Sequence, residues 1–331
     1  MSLLQRSSDF LFLYEATQCN PNGDPDYDNK PRMDYDTETN LVTDTRLKRY
    51  VRDYLKATGH AIFVDGEAGA KVSPTTKLQA VVGRLLADET QLDSLFAEQP
   101  SLRGQLQQLS EVEQNPDKIF KKLQSRENRD LSIYLLAQLV KRQFIDIRLF
   151  GSAFAVEGFN RAYTGPVQLS WGYSLNQVKL MESSTIASTM NDENGTFGKD
   201  HRVHYSLLAF NGTINRFAAQ ASGLTNEDVE LFRKALWESI PALPTRSKLN
   251  QYPKLYVEVV YKDGAANGQL GDLRSYVRAA SIADEKAVRR LEDLNVDFSA
   301  LAEAISANEA VDYAVVRTGV GLTFANPKPR G

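Results

Sequence analysis

Cysteine is almost absent from this chain of 331 residues, Cys19 being the single one. An intramolecular disulfide is therefore impossible and a multi-thiolate metal site is excluded, which makes a reducing, cytoplasmic setting the expectation. Histidine is nearly as scarce: His60, His201 and His204 are the full set. His201 and His204 lie three apart on or near a strand, a spacing that puts them on opposite faces and speaks against an acid–base pair. No apolar run is long enough to cross a bilayer. The amino end lacks the basic region and apolar core of a secretory signal, so no membrane partner is expected. A Ser-His-Asp order, a phosphate-cradling glycine loop and a dinucleotide fingerprint are also missing. Nor is there an excess of basic charge: the net charge is -3 and the sequence pI about 5.8. A nucleic-acid surface would have to come from local clustering.

What is present is an ordinary globular composition, 42% apolar and 24% charged, in a chain long enough to bury a sizeable core. Phe10 to Ala16 (FLFLYEA) is short, aromatic-rich and followed by turn residues, which predicts a strand buried on both faces. Residues 17 to 43 follow as a long polar loop containing CNPNGDPDYDNKPRMD, rich in residues that turn the chain; inside a compact protein such length points to function. TDTRLKRYVRDYLKATG then predicts a helix with Thr43 or Asp44 as its cap and Gly59 as its stop. Leu47, Tyr50, Val51, Tyr54 and Leu55 share one arc, and Lys48, Arg49, Arg52 and Lys56 the opposite one. The basic arc holds no acidic partner, Asp53 lying near its edge and Asp44 at the helix start.

Residues 75 to 147 carry mostly helical signals and read as a helical insertion. VQLSWGYSL alternates strictly from Val167 to Leu175 and predicts one strand. Asn194-Gly195, flanked by Ile186, Met190 and Phe197, predicts a projecting hairpin. Val203 to Phe210 is a further strand, with Asn211-Gly212 expected to turn it. TNEDVELFRKALWESIP predicts a helix capped by Thr225 and stopped by Pro241, with Val229, Phe232, Leu236 and Ile240 on its buried side. KLYVEVVY, from Lys254, is one more strand. Without the insertions the order is strand, helix, strand, strand, helix, strand, an α+β plan of the ferredoxin-like (RRM-like) βαββαβ kind.

Several clusters could carry chemistry. The basic helix face beside the Asn-rich loop offers cations to a phosphate backbone, with Asn20 and Asn22 able to donate side-chain amides. Arg246 and Lys248 sit in a turn-prone loop before the last of these strands, and nothing in the fold plan requires that loop to adjoin the first helix. Arg148 precedes Gly151, which either lets a ligand approach the backbone or relieves a tight turn. Asp24, Asp26 and Asp28 begin like a calcium loop. The sixth position is Asn29 rather than Gly and the twelfth Tyr35 rather than Glu, so a solvated turn is expected and no metal or cofactor.

Taken together, NPNGDPDYDNKPRMD, NLVTDTRLKRYVRDYL, DIRLFGSAF, TGPVQLSWGYSLNQV, SGLTNEDVELFRKALWESI and TRSK, in this order over roughly residues 9 to 262, resemble a known family. It is the CRISPR RNA-binding backbone subunit of Cascade, in the RAMP superfamily, with the nearest similarity to the type I-B and I-C branch. The resemblance implies one elaborated domain. Its palm would be 9–74 and 148–265, its helical fingers 75–147 and its thumb hairpin 178–202, with a C-terminal segment, 266–331, packing on the palm. It implies a scaffold without catalytic activity, whose copies stack as a helical filament along the guide RNA and present it to target DNA, beside other Cascade subunits. Asn20, Asn22, Arg46, Lys48, Arg49 and Arg52 fall in the family's first RNA-contacting segment, Arg148 with Gly151 and Arg246 with Lys248 in two others. Met190, Phe197, Lys199 and Arg202 fall in the base-displacing thumb, where TFGKDHR stands in place of the family's basic MGRK stretch. The alternative is a CRISPR endoribonuclease or metal-dependent ribonuclease on the same fold, using the three aspartates.

Overall fold

The computed structural model describes residues 2–65, 73–156, 159–182, 185–187 and 197–331. They divide into two compact units, one of residues 1–54, 167–216 and 229–331, the other of 55–166 and 217–228.

The first unit is built on an antiparallel sheet. Its strands are β1 (Ser8–Thr17), β2 (Thr39–Val42), β3 (Gly172–Ser174), β4 (Tyr205–Ile214), β5 (Gln251–Tyr261) and β6 (Val311–Thr318), in the spatial order β6-β5-β1-β4-β3-β2. The helices α1 (Asp44–Ala57) and α2 (Asn226–Ala242) complete the α+β arrangement. β1 is central and buried from Phe10 to Tyr14, as its unbroken apolar run predicts. Phe10 meets Phe232 of α2 edge-on, with ring centroids 5.8 Å apart, and lies 5.7 Å from Tyr256 of β5. Leu11, Leu13, Leu207, Val257 and Val259 belong to a second core cluster that takes in the C-terminal segment through Leu291, Leu301 and Ile305. Alternation along the central strands thus feeds two apolar layers, one on each side of the sheet.

Two expectations for this sheet fail. VQLSWGYSL is not one strand but two, Val167–Leu169 and β3, both paired with β4. Between them Ser170 donates its amide and its hydroxyl to the Asn211 carbonyl, at 2.9 and 3.1 Å. Beyond the break the buried face is that of Gly172 and Ser174, and Trp171 is half exposed. Asn211-Gly212 does not turn β4 either; the strand runs through it to Ile214. A Cβ on Gly212 would stand 2.3 Å from the Phe10 ring. This glycine makes room for an aromatic side chain and does not end the strand.

The predicted helices do form. In α1 the five apolar positions Leu47, Tyr50, Val51, Tyr54 and Leu55 are all buried, and Gly59, at φ 92°, follows its end. At the start of α2 the Thr225 hydroxyl accepts from the Asp228 amide and the Asp228 carboxylate from the Thr225 amide, both at 3.1 Å, a reciprocal cap. Pro241 falls inside the last turn instead of stopping the helix before it.

The second unit is largely helical, as the insertion predicts, with helices Pro74–Leu86, Glu89–Leu95, Pro100–Val112, Pro116–Leu123, Arg129–Gln143 and Ile145–Phe150 and the two-stranded hairpin Gly151–Val156 and Phe159–Thr164. Leu78, Val82, Phe120, Leu135 and Phe154 lie in its core. The expected projecting hairpin has its two strands, Thr185–Ala187 and Phe197–Lys199, antiparallel. Met190 and the Asn194-Gly195 turn lie outside the described residues.

Candidate nucleic-acid interface

The long loop begins where β1 ends, and backbone hydrogen bonds hold it between two other segments. Thr17 and Asn20 donate to the carbonyls of Asn250 and Ser247 at 3.0 and 2.9 Å, Gln18 donates to His204 at 3.1 Å, and Val203 donates to Cys19 at 2.9 Å. Gln18 and Asn250 take the left-handed conformation, φ 48° and 64°, which turns the chain at both ends of this contact. The loop carrying Arg246 and Lys248 is therefore brought against the loop after β1, a proximity that the linear order does not announce.

Asn20 and Asn22 are turned into this framework. The Asn20 side chain is buried and donates to the Asn29 carbonyl at 2.8 Å. The Asn22 amide oxygen accepts from the Thr43 amide and hydroxyl at 2.9 and 3.0 Å, and the Thr43 hydroxyl in turn accepts from the Arg46 amide at 3.2 Å. This relay caps α1 and sets the direction of its first turn. The two asparagines thus shape the site through their side chains, where the sequence suggested that their amides face a ligand.

The cations around this loop form a connected group. The Arg46 guanidinium lies 4.0 Å from the centroid of the Tyr50 ring, and its Nε is buried without a hydrogen-bond partner. Lys248 donates its ammonium to the Asn20 carbonyl. Burial, with Arg46 close by, lowers the Lys248 pKa from 10.5 to about 8. Arg202 donates to the Gln18 carbonyl at 2.9 Å and pairs with Asp200 at 2.7 Å. Arg246, 63% exposed at its side chain, shares the same carboxylate at 3.0 Å. Arg202 and Arg246 thus share one acid, Asp200, while Arg46 and Lys248 neighbour each other at the same loop junction. Cys19 is buried among them, and desolvation pushes its thiol up to about 12 despite Lys248 and Arg202 nearby. Like charges held this close repel one another, and a bound anion relieves that repulsion.

The rest of the helix face differs from expectation. Lys48 pairs with Asp44 at 2.9 Å and Arg49 with Asp53 at 2.6 Å, so the basic arc does have acidic partners one turn away. The exposed Arg49–Asp53 pair contributes only about 0.3–0.5 kcal/mol, whereas the Lys48 side chain is largely buried beside Asp44. Arg52 is half-buried on the same helix. Lys199 pairs with Asp28 at 3.3 Å, both exposed.

Arg148 and Gly151 belong to the second unit and have internal duties. Arg148 grips Asp228 with two hydrogen bonds of 2.8 Å and donates to the carbonyls of Lys141 and Arg142 at 2.8 and 3.2 Å. Both partners are largely buried, and both belong to the second unit. Gly151, at φ 70°, has the Tyr163 carbonyl oxygen 2.0 Å from where a Cβ would stand. The close approach is made by the chain's own hairpin, so of the two roles open to this glycine the structural one applies.

Asp24 accepts from Arg32 at 3.0 Å and from the Asp26 amide at 3.2 Å, whereas Asp26 and Asp28 are exposed. Among the described residues no group of three carboxylate, histidine or cysteine side chains is placed to hold a metal ion, and no helix is long and apolar enough to cross a membrane. What the sequence did not reveal is Asp200 as the shared partner of two arginines, and Arg202 as a member of the Lys248 group rather than of the hairpin alone. No local signal marks either, because both depend on which loops meet.

An α+β fold built on a main antiparallel sheet is the class of this protein, and comparison with known proteins narrows it. The profile of the CRISPR-associated protein Cas7 family matches residues 6–299. A CRISPR-associated protein Cas7 of Haloferax volcanii is 30% identical over 328 residues, covering 92% of this chain and 84% of the relative. A chain of a solved CRISPR RNA-guided surveillance complex, pre-nicking, superposes with a TM-score of 0.58 at 13% identity, covering 98% of this chain and 95% of that one. The protein belongs to the Cas7 family.

Proposed function

We propose that this protein is a backbone subunit of a type I CRISPR RNA-guided surveillance complex, of the I-B or I-C kind, and that it holds the guide RNA by its sugar-phosphate chain. The observation that carries this is the meeting, at the loop after β1, of Arg202 and Arg246, which share the Asp200 carboxylate, with Lys248 and its neighbour Arg46, in a chain of net charge -3. Phosphates carry no base information, so contacts of this type suit a scaffold that must accept any guide sequence. Copies aligned on one RNA act through effective concentration, and a few phosphate contacts per copy suffice.

The order β5-β1-β4-β3 with α1 and α2 supports a ferredoxin-like palm. The second unit then corresponds to the fingers, and the strand pair 185–187 and 197–199 to the base of the thumb. The protein acts as a scaffold without catalysis, in the cytoplasm, beside other Cascade subunits and further copies of itself, and the guide it holds pairs with target DNA. Exchanging Arg46 and Lys248 together for Glu tests this. Loss of two charge-assisted contacts at roughly 1.5 kcal/mol each should weaken binding of single-stranded RNA by about a hundredfold at fixed salt. Unchanged affinity in a correctly folded variant refutes it.

A further inference from the structure

The cation cluster does not end at Arg202. The segment 202–204 is bonded on one side to the loop after β1, and on the other to residues 179–181: His204 donates to the Lys179 carbonyl and Met181 to the Arg202 carbonyl, each at 2.9 Å. Three chain segments thus lie side by side. Arg202 and His204 are on the middle one and Lys179 on the outer one.

The C-terminal segment reaches the same strip: the Val178 amide donates to the Glu38 carbonyl at 2.8 Å, Lys286 pairs with the Glu38 carboxylate, and Arg289 donates to the Lys286 carbonyl at 2.9 Å. Burial of His204, with Arg289 and then Lys179 close by, lowers its pKa, and Glu182 opposes them. Both Lys179 and Arg289 are exposed. Neither has an ion-pair partner among the described residues, and the Arg289 guanidinium donates only to the carbonyls of Lys286 and Val288. Two carboxylates nearby are already engaged. Asp293 accepts from the amides of Arg289 and Arg290 and from the Arg290 side chain, and Glu38 pairs with Lys286 at 3.5 Å. Glu182 is exposed.

We infer that Lys179, His204 and Arg289 form a second phosphate-contacting ledge, continuous with the Arg46–Lys248 cluster through Arg202, so that the C-terminal segment takes part in holding the nucleic acid. This rests on the proposed function and extends it to residues outside every motif by which the family is recognised in the sequence. The ligand is the backbone of a single-stranded polynucleotide, which can pass from the first group of cations to the second along adjoining segments. Lys179 and Arg289 supply point and forked donors, and His204 supplies a ring N–H beside them.

The test is a salt titration of affinity for a fluorescein-labelled oligouridylate. It compares the unaltered protein, Arg46→Glu with Lys248→Glu, and Lys179→Ala with Arg289→Ala, between about 50 and 200 mM salt. Each phosphate contact on a single strand contributes about 0.7 to the slope of log affinity against log salt. The alanine pair is expected to bind about tenfold more weakly and to flatten the slope by about 1.4. Lys179→Arg with Arg289→Lys, which keeps both charges, should restore most of the slope. If the glutamate pair loses binding but the alanine pair keeps the parent affinity and slope, the ledge is refuted and the first cluster stands. If neither pair differs from the parent, the proposed function falls and the ledge with it. Both alanine positions are exposed, and unchanged thermal melting verifies that the variant is folded.

Discussion

Lys248 offers a prediction whose sign depends on the structure. Replacing it with Met keeps the stem and removes the ammonium. In the folded protein burial and Arg46 lower its pKa from 10.5 to about 8. At about 1.4 kcal/mol per pH unit, that fall corresponds to roughly 3 kcal/mol against the protonated form, or roughly 2 after allowing for residual solvent access. Against this, the variant loses the hydrogen bond to the Asn20 carbonyl, a contribution of about 1 kcal/mol. At pH 7 the RNA-free variant is therefore expected to be about 1 kcal/mol more stable than the parent, although a hydrogen-bonded lysine has been removed.

The balance then changes with pH. Between about 8 and 10.5 the unfolded parent keeps the Lys248 proton and the folded parent has released it, so the parent gains stability as pH rises. Cys19, pushed up to about 12 in the fold, acts in the opposite direction in both proteins and cancels from the difference. The advantage of Lys248→Met should shrink above pH 8 and reverse by about pH 10. Paired urea unfolding curves at pH 7 and pH 10 measure it. A stability difference that is the same at both values refutes the claim that Lys248 is held as a strained cation. The same variant should bind RNA more weakly at pH 7, since it lacks an ammonium that a phosphate would offset.

Three further outcomes follow from the packing and from the cysteine. Gly212→Ala should destabilise by about 1–3 kcal/mol in chemical denaturation, because its Cβ would meet the Phe10 ring at 2.3 Å. Asp228→Asn leaves the Arg148 guanidinium buried with half its fork unmatched and should cost about 3 kcal/mol, with Arg148→Lys recovering little of the pair's geometry. Cys19, buried with its thiol raised to about 12, should react with iodoacetamide at pH 8.5 about a hundredfold more slowly in the native protein than in urea; equal rates would refute its burial.

The elements most readable from sequence are those set by local periodicity. The buried strand at Phe10–Tyr14, the apolar arc from Leu47 to Leu55 and the Thr225 cap with Val229, Phe232, Leu236 and Ile240 on the buried side all occur as their spacing predicts. Where pattern misled, a long-range neighbour prevailed. VQLSWGYSL alternates without a flaw, yet its register against β4 slips by one residue between the Leu169–Gly212 and Tyr173–Ala209 pairs, as at a bulge. Asn211-Gly212 has the composition of a turn, yet the glycine gives space to a ring two hundred residues away in the chain.

The site divides in the same way. Arg46, Arg202, Arg246 and Lys248 can be picked from sequence as basic residues in loops or on a helix face. Periodicity was enough for the α+β class, the single cysteine for the absence of an intramolecular disulfide, and the ordered motifs for the resemblance to the family, none of which needs a third dimension. Only the tertiary structure decided that residues 18–20, 200–204 and 246–250 meet, that Asp200 serves two arginines, that Arg148 holds Asp228 and that Asn20 and Asn22 turn inward. The physical reason is range. Helix and strand periodicity is written into neighbouring residues, whereas the strength of a charge depends on burial and on partners that come from anywhere in the chain.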